Sequence, residues 1–187
     1  MTFQSSVNFN QAFGVVGEKA FDAPFVVEPA ILKSTSAANN VVGRAFQIVA
    51  GATGSFPVAG DAGVNPKTLN VSADTGAAGV FAGLLVQPKS YTSFGTAGAP
   101  LAPTLALPND TQVELATEGP WIISLAAACN PGDAVFYNYT DGHLVTTAPG
   151  AALPANCAGP IGTIDRFVNA AGANAVVRLA PIVPPHA

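Results

Sequence analysis

Short runs of β-branched and aromatic residues, closed by glycine or proline, constrain the fold of this chain more than any other feature. Such runs recur between residues 120 and 179. β-Branched and aromatic side chains favour strands, whereas glycine and proline favour the turns that separate them. The sequence therefore predicts an all-β fold, an antiparallel β-sandwich or barrel. The last two runs, residues 161–168 and 175–179, are predicted to pair as a hairpin.

Earlier parts of the chain carry further strand candidates and two long loops. The strand candidates are residues 43–50, 78–87 and 112–116. Residues 51–64 and 90–108 are rich in Gly, Ala, Pro, Ser and Thr. Connections longer than about 12–15 residues are usually functional or disordered. We therefore expect long surface loops here that become ordered when a partner binds.

The dipeptide Asp141-Gly142 gives the clearest local prediction. It separates two strand-like runs, and a two-residue loop of this composition favours a type I′ turn, in which both central residues need φ > 0. The sequence therefore predicts a β-hairpin at this point. In the register that such a turn imposes, Tyr139 lies opposite Leu144.

The N-terminal residues differ from the rest of the chain. Residues 1–33 are predicted to form an extended arm and residues 34–187 a single β domain, because no helical 3.6-residue stripe runs through the first segment. Five of the eleven phenylalanines lie in this arm: Phe3, Phe9, Phe13, Phe21 and Phe25. They either anchor the arm in the groove of a partner subunit or cap the core of their own domain. As anchors they would form the interface with that subunit.

Composition limits the classes of partner. Only 10% of the 187 residues are charged, against roughly a quarter in soluble proteins, while 49% are hydrophobic. A chain this apolar hides more surface than one monomer can, so a homodimer or homotrimer is expected, with a monomer that assembles only on a larger shell as the alternative. The seven Lys and Arg residues are spread singly and the net charge is −4. No basic stripe exists to neutralise phosphates, so direct nucleic-acid binding is not expected.

The sequence contains neither a membrane-spanning pattern nor a secretory signal. No stretch approaches the roughly 20 consecutive apolar residues that span a bilayer, so no membrane association is expected. The N-terminus has neither the basic region nor the apolar region of a secretory signal. The protein is therefore expected to stay in the cytoplasm of the cell that makes it.

Ionisable groups are too scattered to predict an active site. Asp141 and His143 form a pair, but it lies at the tip of the predicted hairpin. Glu114 and Glu118 are four residues apart on a predicted strand, about 13 Å along the chain, which is too far for the carboxylate pair of a retaining glycosidase. We therefore expect no enzymatic activity, no catalytic residue and no cofactor.

The two cysteines, Cys129 and Cys157, lack the paired spacing of a zinc site. They are predicted to be buried thiols that contribute to packing, with a single disulfide between them as the alternative. No metal site is predicted.

The order of strands and turns resembles a known family. The runs concerned are residues 118–123, 131–137, 141–147 and 159–163, together with two N-terminal segments, residues 13–18 and 40–46. They resemble the structural cement, or head decoration, proteins of tailed bacteriophages. The resemblance implies a jelly-roll-like or β-tulip-like domain and a non-enzymatic virion protein. Such a protein binds the outside of the icosahedral head, where it bridges and stabilises subunits of the major capsid protein.

Two other functions remain open at this stage. A glycan-binding or tail-associated β module of the virion would use exposed aromatic rings, for which the candidates are Trp121, Tyr91, Tyr137 and Tyr139. A small β hydrolase is the weaker alternative, because the ionisable groups that it needs are few.

Overall fold

The computed structural model describes residues 14–49, 69–86, 106–166 and 174–180. This part of the chain is all-β, as predicted, and contains nine strands and a single turn of 3₁₀ helix at Ala37–Asn39. The strands are β1 (Val26–Leu32), β2 (Ala45–Ile48), β3 (Leu69–Ser72), β4 (Phe81–Leu85), β5 (Gln112–Ser124), β6 (Ala134–Asn138), β7 (Leu144–Thr147), β8 (Cys157–Arg166) and β9 (Asn174–Leu179). No helix in the described ranges is long and apolar enough to cross a membrane. The predicted loop at residues 51–64, and most of that at 90–108, lie outside these ranges.

Five strands form a closed barrel. Their order is β1-β3-β2-β4-β5, and β1 also pairs with β5, which closes the ring. All of these pairings are antiparallel except that of β1 with β3. Alternate residues of each strand point inward, as strand geometry requires. The barrel core consists of Ala30, Leu32, Phe46, Val71, Ala73, Ala82, Leu85, Leu107, Val113 and Leu115.

The second half of the molecule is an antiparallel sheet, and its core also includes Ala45, Leu84 and Ala116 from the barrel strands. The strand order is β5-β9-β8-β6-β7. The largest buried side chains of this core include Trp121, Ile123, Val135, Tyr137, Leu144, Ile161, Ile164 and Val177. The pairing of residues 161–168 with 175–179 is confirmed by the register of β8 with β9, in which Thr163 lies opposite Arg178.

Strand β5 belongs to both halves. Residues up to Glu118 pair with the barrel strands, and residues from Gly119 onward pair with β9. Gly119 lies at the change of partner with φ +104°, a backbone conformation that side chains with a Cβ rarely adopt. The sequence predicts two separate strands here, and the structure has one strand of 13 residues.

The predicted hairpin at Asp141-Gly142 is confirmed, but its register is wrong. Tyr137, not Tyr139, lies opposite Leu144, so five residues separate the strands instead of two. Gly142 has φ +77°, whereas Asp141 does not have the positive φ of a type I′ turn. Contacts outside the hairpin decide this, because the Gly142 carbonyl accepts a hydrogen bond from the Ala45 amide in the barrel at 2.9 Å.

The described part of the predicted N-terminal arm, residues 14–33, includes one strand of the barrel. Strand β1 covers Val26–Leu32, pairs with β5 along most of its length, and buries Ala30 and Leu32 in the barrel core. Proline is unusual inside a strand because it donates no hydrogen bond. At Pro29, however, β1 is paired only with β5, since the β3 pairing begins at Ala30.

Candidate functional site

Residues 14–26 lie along the edge of β5, and we call them the N-terminal strip. The Gly17 amide donates to the Ile122 carbonyl at 2.8 Å, and the Ile122 amide donates to the Glu18 carbonyl at 2.9 Å. Lys19 and Trp121 form an antiparallel bridge between the two segments. The strip is therefore bound to its own domain, whereas Phe3, Phe9 and Phe13 lie outside the described residues.

Phe25 packs on the ring of Trp121, at the edge of β5. Its ring meets that of Trp121 edge to face, with the centroids 5.8 Å apart and the planes at 84°. The Lys19 ammonium lies 4.6 Å from the Phe25 centroid, within the range of a cation–π contact. Phe25 nevertheless remains 45% exposed. One side of the ring is fixed on the domain, and the remainder is free to contact a partner.

Phe21 is held by two cations of the second sheet. The guanidinium of Arg166 lies 5.1 Å from its ring centroid, and that of Arg178 lies 5.8 Å away. Arg178 also approaches the Asp165 carboxylate at 3.4 Å. These contacts fasten the strip to β8 and β9, so Phe21 stabilises its position.

Exposed apolar side chains concentrate on the N-terminal strip. Val15 is 51% exposed and Val26 is 40% exposed, and with Phe25 they are three of the five large apolar side chains that are exposed in the described ranges. The other two, Val80 and Leu153, lie elsewhere in the chain. Exposed apolar side chains that share one segment offer surface for a protein contact. The N-terminal strip is therefore the candidate interaction site.

The Asp141–His143 pair binds the β6–β7 loop to the barrel. The His143 Nδ1 atom is 2.9 Å from the Asp141 carboxylate, and its Nε2 atom is 3.3 Å from a terminal nitrogen of Arg44. The Asp141 carboxylate and the Arg44 guanidinium therefore each contact one ring nitrogen of His143. Arg44 also donates to the carbonyl of Asp141 at 2.9 Å and to the side chain of Asn39 at 2.7 Å. Both ring nitrogens are engaged, which gives this pair a structural role.

Electrostatics support that role. Burial by itself raises the pKa of Asp141, but hydrogen bonds from the backbone and ring of His143, together with the charges of His143 and Arg44, hold that pKa below its usual value. Asp141 is therefore a carboxylate at neutral pH. A general acid would need the opposite shift.

The aromatic candidates for a glycan site are packed in the core where they are described, and Tyr91 lies outside the described residues. Trp121 and Tyr137 are buried in the core of the second sheet, so neither gives the exposed platform of a glycan site. Burial raises the pKa of Tyr137 to about 12. Cys129 and Cys157 are buried thiols, as predicted. No group of three or more His, Cys, Asp or Glu side chains that could hold a metal ion occurs within the described part of the chain.

Asp74 organises the connection that follows β1. Its carboxylate accepts hydrogen bonds from the backbone amides of Thr35 at 2.7 Å and Ser36 at 2.8 Å, and from the side chains of Asn39 and Ser72. Partial burial raises the pKa of Asp74, but these four hydrogen bonds outweigh it and lower the pKa below the usual 3.8.

Acid should therefore destabilise the protein through Asp74. A carboxyl with a lowered pKa in the folded state contributes stability above pH 3.8, and this contribution is lost as pH falls through the folded value. Asp74→Asn should lower the free energy of unfolding at pH 7 by about 1–3 kcal/mol and flatten its fall below about pH 4. Urea unfolding across this pH range measures both effects. Asp22→Asn, at a fully exposed carboxylate, is the control and should change neither.

Comparison with known proteins decides the family. A family model described as "Structural cement protein (E217 gp24/Pam3 gp6)" matches residues 3–180. The chain belongs to this family. None of the curated proteins compared matches the chain.

A solved structure agrees with the cement-protein fold. The chain is similar to one in the structure described as "The capsid of Myoviridae Phage XM1", with a TM-score of 0.53 and 16% sequence identity. The match covers 95% of this chain and 97% of that one. At this identity the similarity establishes the fold alone. Family membership makes this a structural protein of the phage virion, with a structural role in the capsid.

Proposed function

We propose that this cement protein is a capsid decoration protein without enzymatic activity. It is made in the host cytoplasm, binds the outer surface of the icosahedral head, and bridges and stabilises neighbouring subunits of the major capsid protein. The family match over residues 3–180 is the observation that carries this proposal. The structural role of the Asp141–His143 pair is consistent with it.

The N-terminal strip is the proposed capsid contact. Its three exposed apolar side chains would be removed from water on docking, at roughly 25 cal/mol per Å² of apolar surface. This is a modest free energy for one copy, since association also costs translational and rotational freedom. Many copies on one shell act together, and multivalent attachment raises the overall stability without any new kind of contact.

The five phenylalanines of residues 1–33 have different parts in the proposed contacts with the capsid and with neighbouring copies. Phe25 contacts the capsid with its exposed side, and Phe21 fixes the strip in place through Arg166 and Arg178. Phe3, Phe9 and Phe13 belong to the contacts that one copy makes with its neighbours.

A charge placed on the strip should weaken capsid binding. Val15→Asp should lower the affinity for undecorated, expanded heads by at least about tenfold, or about 1.4 kcal/mol, because a carboxylate would be buried without a partner. Val80→Asp is the matched control, since Val80 is 65% exposed but lies outside the strip. Co-sedimentation of purified variants with heads measures the affinity, and thermal melting of each free variant shows that it is folded.

Cryo-electron microscopy of the decorated heads tests the wider proposal. Wild-type protein should appear on the outer surface, in contact with at least two capsid subunits. If heads incubated with a saturating concentration of the protein carry none of it, the proposed function is refuted. Equal losses of affinity for Val15→Asp and Val80→Asp would refute the assignment of the strip, while leaving decoration itself intact.

A further inference from the structure

A groove of about 410 Å³ lies where the second sheet curls back on itself. The end of β5 and the start of β7 are at opposite ends of the strand order, yet Leu125 and Leu144 line the same groove. Val42 gives it a further apolar wall, and Arg44 and Asn174 also line it. The barrel is closed by its β1–β5 pairing, whereas the second sheet is open at this groove.

Strand β7 has an outer edge beside the groove that pairs with none of the described strands. The Asn138 amide donates to the His143 carbonyl at 2.8 Å, which makes these two residues a hydrogen-bonded pair. Such pairs alternate along an antiparallel ladder, so the backbone groups of Leu144 and Thr146 point away from β6. In the described sheet no strand pairs with this outer edge of β7. An extended peptide could pair here and place side chains in the groove.

The N-terminal segment leaves the described structure at the rim of the same groove. The Gly14 carbonyl accepts a hydrogen bond from the Asn174 side chain at 3.0 Å, and Val16 is a lining residue. Traced backwards from Ala20, the strip runs antiparallel to β5, toward the Ser124 end of that strand. A chain continued in that direction from Gly14 would pass beyond the end of the sheet. At about 3.3 Å per residue, residues 1–13 would reach roughly 40 Å.

The sequence of residues 1–13 suits such a peptide. Its large apolar residues Met1, Phe3, Val7, Phe9 and Phe13 all occupy odd positions, every even position from 2 to 10 is polar, and position 12 is alanine. An extended strand with this pattern has one apolar face, because side chains alternate between the two sides. The segment has no charged side chain, which matches a groove that is mainly apolar.

We propose that residues 1–13 of one copy bind the groove of a second copy of this chain. The segment pairs with the outer edge of β7, and its odd-numbered face enters the groove. The donor segment and the acceptor groove lie side by side, so two copies can exchange their segments reciprocally, as in domain swapping. Both partners are copies of this chain, so the inference does not depend on capsid binding.

The competing occupant is the segment of the same chain. Gly14 has φ +67°, and a reversal there would turn residues 1–13 into their own groove. The direction of the strip favours the second copy. The experiment must therefore report which chain supplies the segment.

A photo-crosslinker at position 9 makes this distinction. Phe9 is replaced by p-benzoylphenylalanine in an unlabelled protein, which is mixed, without capsids, with an excess of ¹⁵N-labelled wild-type protein and irradiated. Mass spectrometry of the digest should find adducts on heavy peptides that contain residues 41–44 or 124–126. Adducts confined to light peptides would show that the chain fills its own groove. Adducts elsewhere, or none, would equally overturn the proposal.

Three matched variants test the geometry of the groove. When the crosslinker replaces Asn8, on the polar face, instead of Phe9, the adduct with the groove should disappear. Ala126→Trp in the labelled partner should block the groove and remove the adduct, whereas Ala127→Trp, at an exposed neighbour outside the lining, should leave it unchanged. Equal adduct yields with both tryptophan variants would refute binding in this groove. Capsid binding is measured separately, so the two proposals can fail independently.

Discussion

Gly142→Val should lower the free energy of unfolding by about 2–6 kcal/mol. Gly142 has φ +77°, where a β-branched residue is strained by about 1–3 kcal/mol. A Cβ at this position would also lie 2.6 Å from the Ala45 carbonyl oxygen and 3.0 Å from the Ala73 side chain, and such overpacking costs about 1–3 kcal/mol more. Chemical denaturation of the purified domain measures the total.

Gly150→Val separates the two causes. Gly150 has nearly the same backbone conformation, φ +79°, but a Cβ there would meet no atom within 4 Å. Only the backbone strain should remain, so this variant should be clearly the more stable of the two. If the two variants unfold at the same denaturant concentration, the β6–β7 loop does not pack on the barrel as described.

Two truncations should have very different effects on the fold. Deleting residues 2–13 should leave the domain folded, because the strip and its hydrogen bonds to β5 remain. It should also abolish protection of the capsid, since the segment that links copies is lost. Deleting residues 2–20 should in addition lower the melting temperature of the domain by several degrees, because the bonds of Gly17, Glu18 and Ala20 to β5 disappear.

Melting of the free variants and of decorated heads measures both effects. Full-length protein should raise the melting temperature of the heads, and neither truncation should do so. If the protein without residues 2–13 fails to fold, the deleted residues Phe3, Phe9 and Phe13 belong to the core of their own domain. If it folds and still protects the heads, residues 1–13 have no role in cementing.

The strand pattern of the second half was readable from the sequence because its strands are rich in β-branched and aromatic residues. β6, β7, β8 and β9 each overlap a predicted run, although β8 begins at Cys157, before its run. β3 was missed, because Leu69–Ser72 is short and half polar. The strand pattern of β1 is interrupted by Glu28-Pro29, and only the closure of the barrel shows why a strand forms there.

The candidate site was less accessible to sequence reasoning. The aromatic character of the N-terminal residues was visible, but the attachment of Phe21 and Phe25 to their own domain depends on Arg166, Arg178 and Trp121, which are about a hundred or more residues away. The groove has no sequence signature at all, since its lining comes from five separate stretches of the chain. The hairpin register failed for the same reason, because a contact with Ala45 fixes the loop.

The sharing of β5 between two cores has a consequence for the order in which the protein folds on the ribosome. The barrel has all its strands once β5 has emerged, because β1 to β4 precede it. The later half of β5, with Trp121 and Ile123, cannot pair with β9 until the last described strand has been synthesised. The strip comes from the start of the chain and pairs with the other edge of this half. The strip is therefore available to cover its own edge of β5 while the opposite edge still lacks β9. An unpaired apolar strand is most prone to aggregation during that time.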